Sequence, residues 1–415
     1  MAQNLPSKLR LQNEEAMKRL RLITVFAAAI LLLACGGSAL AQNAPWPTNG
    51  WAESEPVAQG LNVQPLQALH QRIESGDFGN IDRLVVIKNG YVVMNERYPL
   101  DYRDISRGAR GALGCGEGSC SDPSEIHAYN YYHPDYHPFY QGRDVHTLQS
   151  VTKSVASTVI GAAIHQGTIA SVGVNLLSFL GGYDLTRVDR RLHQATLEDL
   201  LTMRSGIEWH EQDRPLDSTN TTMQLEYSDD WVQFTLDQPM DAAPGTKWAY
   251  NSGGSHIMSA VVRKATGQTI DRFAEDHIFG PLGITDYHWK TTPRGLPDTE
   301  GGLFLEAEQL AKIGYLYLKD GMWEGQRILP EGWVASATSQ QVKSVNAPGW
   351  GYGYQWWRPD QGETVVWAGL GFGGQYLLVL PRHDLIAVLN SWNIFGEQLP
   401  SSFSALRTAV TASVN

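Results

Sequence analysis

The stretch Leu84-Val85-Val86-Ile87-Lys88-Asn89-Gly90-Tyr91-Val92-Val93-Met94 sets two apolar runs on either side of Lys-Asn-Gly. Asn-Gly between such runs is the strongest short-range hairpin signal, because both residues tolerate the positive φ that a tight turn demands. A two-stranded hairpin is marginal by itself and needs further strands or helices against it. The chain offers candidates at its far end. Val365-Val366-Trp367, residues 375–380 and residues 385–389 read as strands, with Pro381-Arg382-His383-Asp384 as the turn between the last two. Residues 402–413 read as a closing helix.

Between these strand-rich ends the periodicity changes to helical. Leu66, Leu69 and Ile73 share a helical face within 61–75. Residues 150–166 carry Val155, Val159, Ile160, Ala163 and Ile164 on a buried face, and Gly167 ends them. Thr196-Leu197-Glu198-Asp199 has capping-box character, with Gly206 as stop. Residues 270–279 read as a helix ended by Gly280-Pro281, and 305–318 as another. Strands, then helices, then strands require the two ends to meet in one antiparallel sheet, with the middle as a second lobe. The expected class is therefore α+β, an antiparallel sheet flanked by helices plus a mainly helical lobe. The sheet lobe takes 61–150 and 345–415, and the helical lobe about 151–344.

Composition agrees with a folded chain: 42% of its residues are hydrophobic and 18% charged. The formal charge is −11, and the first 34 residues carry five basic side chains against two acidic ones. The body is thus more acidic than the whole. It has no basic run, which excludes a nucleic-acid partner, since phosphate binding needs clustered Lys and Arg. Met17-Lys18-Arg19-Leu20-Arg21 followed by apolar 22–34 reads as an export signal over residues 1–34, with Met17 as the true start. Leu32-Leu33-Ala34-Cys35-Gly36-Gly37 resembles a lipobox, which would place a lipid anchor on Cys35; Ala39-Leu40-Ala41 offers an A-x-A cleavage site instead. The expected location is the periplasm or, as a lipoprotein, the outer envelope. Residues 35–60 read as a tether to a domain over 61–415.

Cys115 and Cys120 sit in a Gly-rich loop, where an oxidising compartment would favour a small disulfide. His127, His133, His137 and His146 flank that region, but Pro134 and Pro138 break any helix that would align them. No metal or other cofactor is expected.

The chemistry concentrates in three motifs. Ser150-Val151-Thr152-Lys153 is S-x-x-K at a helix start. Positions i and i+3 share a helical face, so an amine can reach the hydroxyl, which by itself is a poor nucleophile. The helix N-terminus adds free N–H groups and a partial positive charge. Downstream, Tyr250-Asn251-Ser252 follows Pro244-Gly245. A phenol beside the Lys153 ammonium is expected to have its pKa depressed and to serve as general base. Third, Trp367-Ala368-Gly369-Leu370-Gly371-Phe372-Gly373-Gly374-Gln375 leads into a strand, and its glycines allow backbone N–H groups close to a bound acyl group.

In this order the motifs resemble those of the serine β-lactamase and penicillin-binding-protein superfamily: S-x-x-K, then Y-x-N or S-x-N, then K-T-G. The similarity is to its class C-like branch, with D,D-peptidases, family VIII esterases and 6-aminohexanoate-oligomer hydrolases. Leu200-Leu201-Thr202-Met203-Arg204-Ser205-Gly206-Ile207, Pro281-Leu282-Gly283-Ile284 and Tyr352-Gly353-Tyr354-Gln355-Trp356-Trp357 support it. The resemblance implies a β-lactamase/transpeptidase-like fold with the site between the lobes. It assigns Ser150 as the acylated nucleophile, Lys153 as its base partner and Tyr250 as proton shuttle. Ser252 stands where class C enzymes have Asn, on the substrate. Trp367-Ala368-Gly369 replaces K-T-G, so Leu370 or Gly371 would give the second oxyanion N–H. Lacking the Lys that engages carboxylates, the site is expected to take a neutral or apolar ester or amide. Trp248, Trp367, Phe372 and Trp392 would line the pocket. The alternatives are a D,D-peptidase or weak β-lactamase, or a non-catalytic penicillin-binding-like envelope protein.

Overall fold

Asn89 and Gly90 take φ of 53° and 81°, the left-handed pair that the hairpin turn requires. The strands they join are Ile81–Lys88 and Tyr91–Arg97. The computed structural model describes residues 44–102, 105, 138–215, 217–343, 349–360, 362–394 and 401–414. The fold below belongs to the unit Pro45–Asn415. Met17, Cys35, the 39–41 cleavage site, Cys115, Cys120, His127, His133 and His137 lie outside the described residues.

Leu385–Ser391 pairs antiparallel with Ile81–Lys88 and so joins the two ends of the chain. Nine strands follow in space as Ala52–Glu53, Tyr91–Arg97, Ile81–Lys88, Leu385–Ser391, Gln375–Leu380, Trp367–Gly371, Trp357–Arg358, Gly351–Tyr352 and Val342–Lys343. Every neighbour is antiparallel except the first pair, which is parallel.

Among the described residues the five long helices are α1 (Gln64–Glu74), α2 (Val151–His165), α3 (Ser252–Thr266), α4 (Ala307–Leu318) and α5 (Ser402–Ser413). The strands alternate with period two, so each sheet face is apolar. Leu84, Val86, Leu378, Leu380, Leu385 and Leu389 share one core with Leu66 and Leu69 of α1 and Leu406 and Val410 of α5. Val85, Ile87, Leu377, Val379, Ile386 and Val388 face the other way, into the larger core with α2, α3 and α4. Both faces are thus covered by helices.

Four expectations change. Residues 45–60 are packed rather than a free tether. Trp46 and Trp51 lie edge-on to Tyr315 of α4 at 5.6 and 5.4 Å, and Ala52–Glu53 joins the sheet. Lys312 of α4 fastens the same segment by donating to the Thr48 and Gly283 carbonyls, at 3.2 and 3.1 Å. Secondly, α4 begins at Ala307, and Leu303–Leu305 is a strand between His146–Thr147 and His288–Trp289. Its Gly314 sits against Ile386, Leu377 and Val379, so α4 belongs to the sheet lobe and not the helical one. Thirdly, Gly280-Pro281 does not end the helix from Ile270. The helix widens into a π turn over Glu275–Phe279, which accommodates the missing proline N–H, and runs on to Gly283 at φ 66°. Finally, α3 stands where no helix was expected. Asn251 caps it by accepting from the Gly254 N–H, and left-handed Gly267 closes it.

Candidate active site

The residue before Ser150 is strained. Gln149 has φ 46°, a region that costs a side-chain-bearing residue about 1–3 kcal/mol. The kink ends the strand His146–Thr147 and turns the chain directly into α2. Ser150 is the N-cap of α2, but its hydroxyl caps no backbone N–H. That oxygen is left for chemistry and sits at the positive end of the helix dipole.

Lys153 lies one turn on, 1% exposed. Its Nζ donates to Ser150 Oγ at 2.8 Å and to the Glu300 carbonyl at 2.6 Å, with Glu300 Oε2 at 3.4 Å. Tyr250 comes from the turn before α3 and closes over the pair. The Lys153 ammonium is 5.2 Å from its ring centroid, and its phenol has the Ser150 hydroxyl as a hydrogen-bonding neighbour. The ring stacks on Trp357 at 5.6 Å, with Trp248 at 6.2 Å. Ser150, Lys153 and Tyr250 are therefore brought together.

The proton positions differ from the sequence expectation. Burial pushes the Tyr250 phenol up; the Lys153 ammonium pulls it down but does not win. The aromatic packing that fixes the ring also desolvates it, which disfavours a phenolate. Burial alone would lower the Lys153 amine, yet the negative charge it faces, on Tyr250 when ionised and on Glu300, with Glu211 and Asp298 beyond, holds it above its ordinary value. Both directions favour an ammonium beside a neutral phenol over a ready base.

Ser252 is likewise placed differently. It is fully buried, and its Oγ and N–H donate to Glu211 at 2.7 and 2.9 Å. It anchors the turn that carries Tyr250 instead of facing substrate. Gly253 beside it is a packing requirement: a Cβ there would lie 2.3 Å from Thr235 Oγ1 and 2.5 Å from the Trp209 ring.

The third motif is itself a strand, Trp367–Gly371, and it lies against the residues on either side of Ser150. A Cβ on Gly369 would meet Val151 at 2.9 Å, and one on Gly371 would meet the Leu148 carbonyl at 2.4 Å. On the side away from Gln375–Leu380, this strand pairs with Trp357–Arg358 through Trp357↔Ala368. Leu370 and Gly371 lie beyond that contact, half-buried, and Phe372 next to them is exposed. Trp367 is half-buried against the main core. Trp392 belongs elsewhere: it stacks on His146 at 3.9 Å and donates to Asp82, lining a separate cavity of about 230 Å³.

Sequence reasoning missed Glu211 and Glu300. Both are acidic residues in non-helical segments, far in sequence from Ser150, and no spacing rule ties them to it. Gln355 was quoted without a role. Its side chain spans the Leu200 and Leu201 carbonyls and Ser255 of α3, while its carbonyl accepts from Ser154 of α2, so it locks the elements that carry the site.

The beta-lactamase family profile matches residues 125–397. The chain belongs to the beta-lactamase family. It is 27% identical over 300 residues to the 6-aminohexanoate-dimer hydrolase of Paenarthrobacter ureafaciens, covering 66% of this chain and 74% of that one. Among solved structures, EstCE1, a hydrolase with promiscuous acyltransferase activity, superposes with TM-score 0.60 at 14% identity, over 86% of this chain and 99% of that one. A D-stereospecific amidohydrolase from Streptomyces sp. gives TM-score 0.56 at 16% identity, over 83% and 98%. This beta-lactamase-family chain is accordingly a hydrolase of the β-lactamase/transpeptidase fold.

Proposed function

We propose that the chain hydrolyses an ester or amide with a neutral or apolar acyl part, through an acyl-enzyme on Ser150. One observation carries this reading: Lys153 Nζ lies 2.8 Å from Ser150 Oγ, with Tyr250 folded over both from another segment. Once the Lys153–Tyr250 pair has released one proton, Ser150 Oγ attacks the carbonyl carbon and passes its own proton to that pair. The oxyanion is held by the Ser150 N–H and that of Leu370 or Gly371. Collapse breaks the C–O or C–N bond, and the leaving alcohol or amine takes up the proton. Water then attacks the acyl-enzyme by the reverse path and frees Ser150. Trp367 stands where a carboxylate-binding Lys is expected, and it brings no positive charge to an anion; Trp248 and Leu370 pack with Tyr250.

The family relation to a 6-aminohexanoate-dimer hydrolase makes a linear amide the second substrate to try. The test is a panel of p-nitrophenyl butyrate, linear aminohexanoate dimer, a D-Ala-D-Ala peptide and a chromogenic cephalosporin, on wild type and Ser150→Ala. The ester or the dimer is expected to lead, and Ser150→Ala to lose on the order of 10³-fold or more. A Ser150→Ala protein as active as wild type would sink the reading. Preferred turnover of peptide or cephalosporin would shift it to a cell-wall enzyme.

A further inference from the structure

Lys153 is backed by buried acid on the side away from Ser150. Its ammonium hydrogens go to Ser150 Oγ and to the carbonyl of Glu300, and the Glu300 carboxyl lies 3.4 Å from the same nitrogen. The two side chains are 1% and 7% exposed, so water screens the pair little. Behind Glu300 lies a second buried carboxyl, Glu226. Burial, with the Glu300 carboxyl beside it, raises Glu226 well above the ordinary carboxylate range.

The charges that face Lys153 come from three other segments. Tyr250 precedes α3. Glu300 and Asp298 lie in the loop after His288–Trp289, where Asp298 is paired with Lys290 at 3.3 Å. Glu211 lies in the loop that receives Ser252. His256 of α3 contributes no charge, since burial lowers it to about 4.

We propose that Glu300, acting through Lys153, keeps the Ser150–Lys153–Tyr250 cluster one proton too full for catalysis at neutral pH, so that hydroxyl attack sets in as the solution turns alkaline. This rests on the serine-hydrolase reading. The active cluster must lose one proton, from the ammonium or from the phenol. A neighbouring carboxylate opposes either loss, because it stabilises the cation and repels a phenolate. The direction therefore holds whichever group releases the proton. Glu300 meets the cluster through the Lys153 amine, so it is a positioning residue. Glu211 has the same sign with respect to Tyr250 and Lys153 but no direct contact with the amine.

The test follows the second-order rate of Ser150 labelling by a fluorophosphonate from pH 5 to 10, which needs no known substrate. Wild type should show a rate rising toward alkaline pH. Glu300→Gln keeps the backbone carbonyl and the shape but removes the charge. Its rising limb should move to lower pH by about one unit or more, so that it labels faster than wild type at pH 7. Glu211→Gln, whose amide oxygen still accepts from Ser252, should move the limb the same way by less. It serves as the second variant should Glu300→Gln fail to fold, and thermal melting checks both. A folded variant with an unmoved limb, or one moved to higher pH, overturns the inference while wild-type labelling leaves the enzyme reading intact. A wild-type Ser150 that takes no label at any pH overturns both.

Discussion

At the residue scale, Lys153 and Tyr250 differ in what their loss does to the fold. Lys153 balances a buried carboxyl and three hydrogen bonds end on its nitrogen or within 3.4 Å of it. Breaking a buried ion pair by removing one partner typically costs about 3–5 kcal/mol, because the other charge stays buried without compensation. Lys153→Met should therefore lose both activity and stability. Tyr250→Phe keeps the stacking on Trp357 and gives up one hydrogen bond, worth about 0.5–1.5 kcal/mol. Each substitution removes a proton carrier and should lower kcat/KM by about 10²–10⁴-fold. Urea unfolding set beside ester kinetics would separate them; equal stability in the two variants would mean that Glu300 does not need Lys153. That Ser150, Lys153 and Tyr250 meet was legible because S-x-x-K is a local pattern on one helical face and Tyr250 sits in a recognisable turn. The direction of the Tyr250 shift was not, since it depends on Trp357 and Trp248 desolvating the ring. Glu211, Glu226 and Glu300 were silent for the same reason: in sequence a buried carboxyl looks like any other.

At the scale of elements, strand Trp367–Gly371 is held beside α2 by what its glycines lack. A Cβ on Gly371 would come within 2.4 Å of the Leu148 carbonyl and 3.1 Å of the Gln149 side chain. Gly371→Ala should push the strand off the nucleophile turn at a cost of about 1–3 kcal/mol, as overpacking does. Its larger effect should be on turnover. If the strand supplies an oxyanion donor, kcat should fall by about 10²–10³-fold, with KM nearly unchanged. Gly181→Ala, where an added Cβ meets nothing within 4 Å, is the control and should leave both intact. Loss of stability without loss of kcat would remove this strand from the oxyanion site. The hairpin, α1, α2 and the last two strands were readable because their apolar periods are regular and their turns carry Asn-Gly, Gly or Pro. Helix α3 was not, because it opens with Ser-Gly-Gly-Ser, poor helix formers retained where Trp209 and Thr235 leave no room for a side chain. The π turn over Glu275–Phe279 was hidden by the convention that Gly-Pro ends a helix.

At the scale of the whole molecule, the strand–helix–strand order correctly brought the chain's ends into one sheet, while the lobe boundary did not follow from it. The placement of α4 on the sheet depends on Gly314 and on which face of Leu385–Ser391 was left uncovered, and neither is a local property. Net charge is a property at this scale that bears on substrate choice. The chain carries a formal charge of −11 and presents a Trp where a carboxylate-binding Lys would stand. An anionic substrate approaches an acidic body with no such cation in the third motif to receive it, whereas a neutral ester feels neither effect. Screening extends about 30 Å at 0.01 M salt but only about 10 Å at 0.1 M, so the repulsion fades as salt is added. For an ester bearing a free carboxylate, kcat/KM should rise roughly several-fold from 0.01 to 0.3 M sodium chloride, as expected when long-range fields set encounter. For p-nitrophenyl butyrate it should stay flat, and the neutral ester should be preferred throughout. A carboxylate ester whose kcat/KM falls with salt would mean attraction instead of repulsion. The site would then hold a cation that faces the substrate, and the preference for neutral acyl groups argued from Trp367 would have to be abandoned.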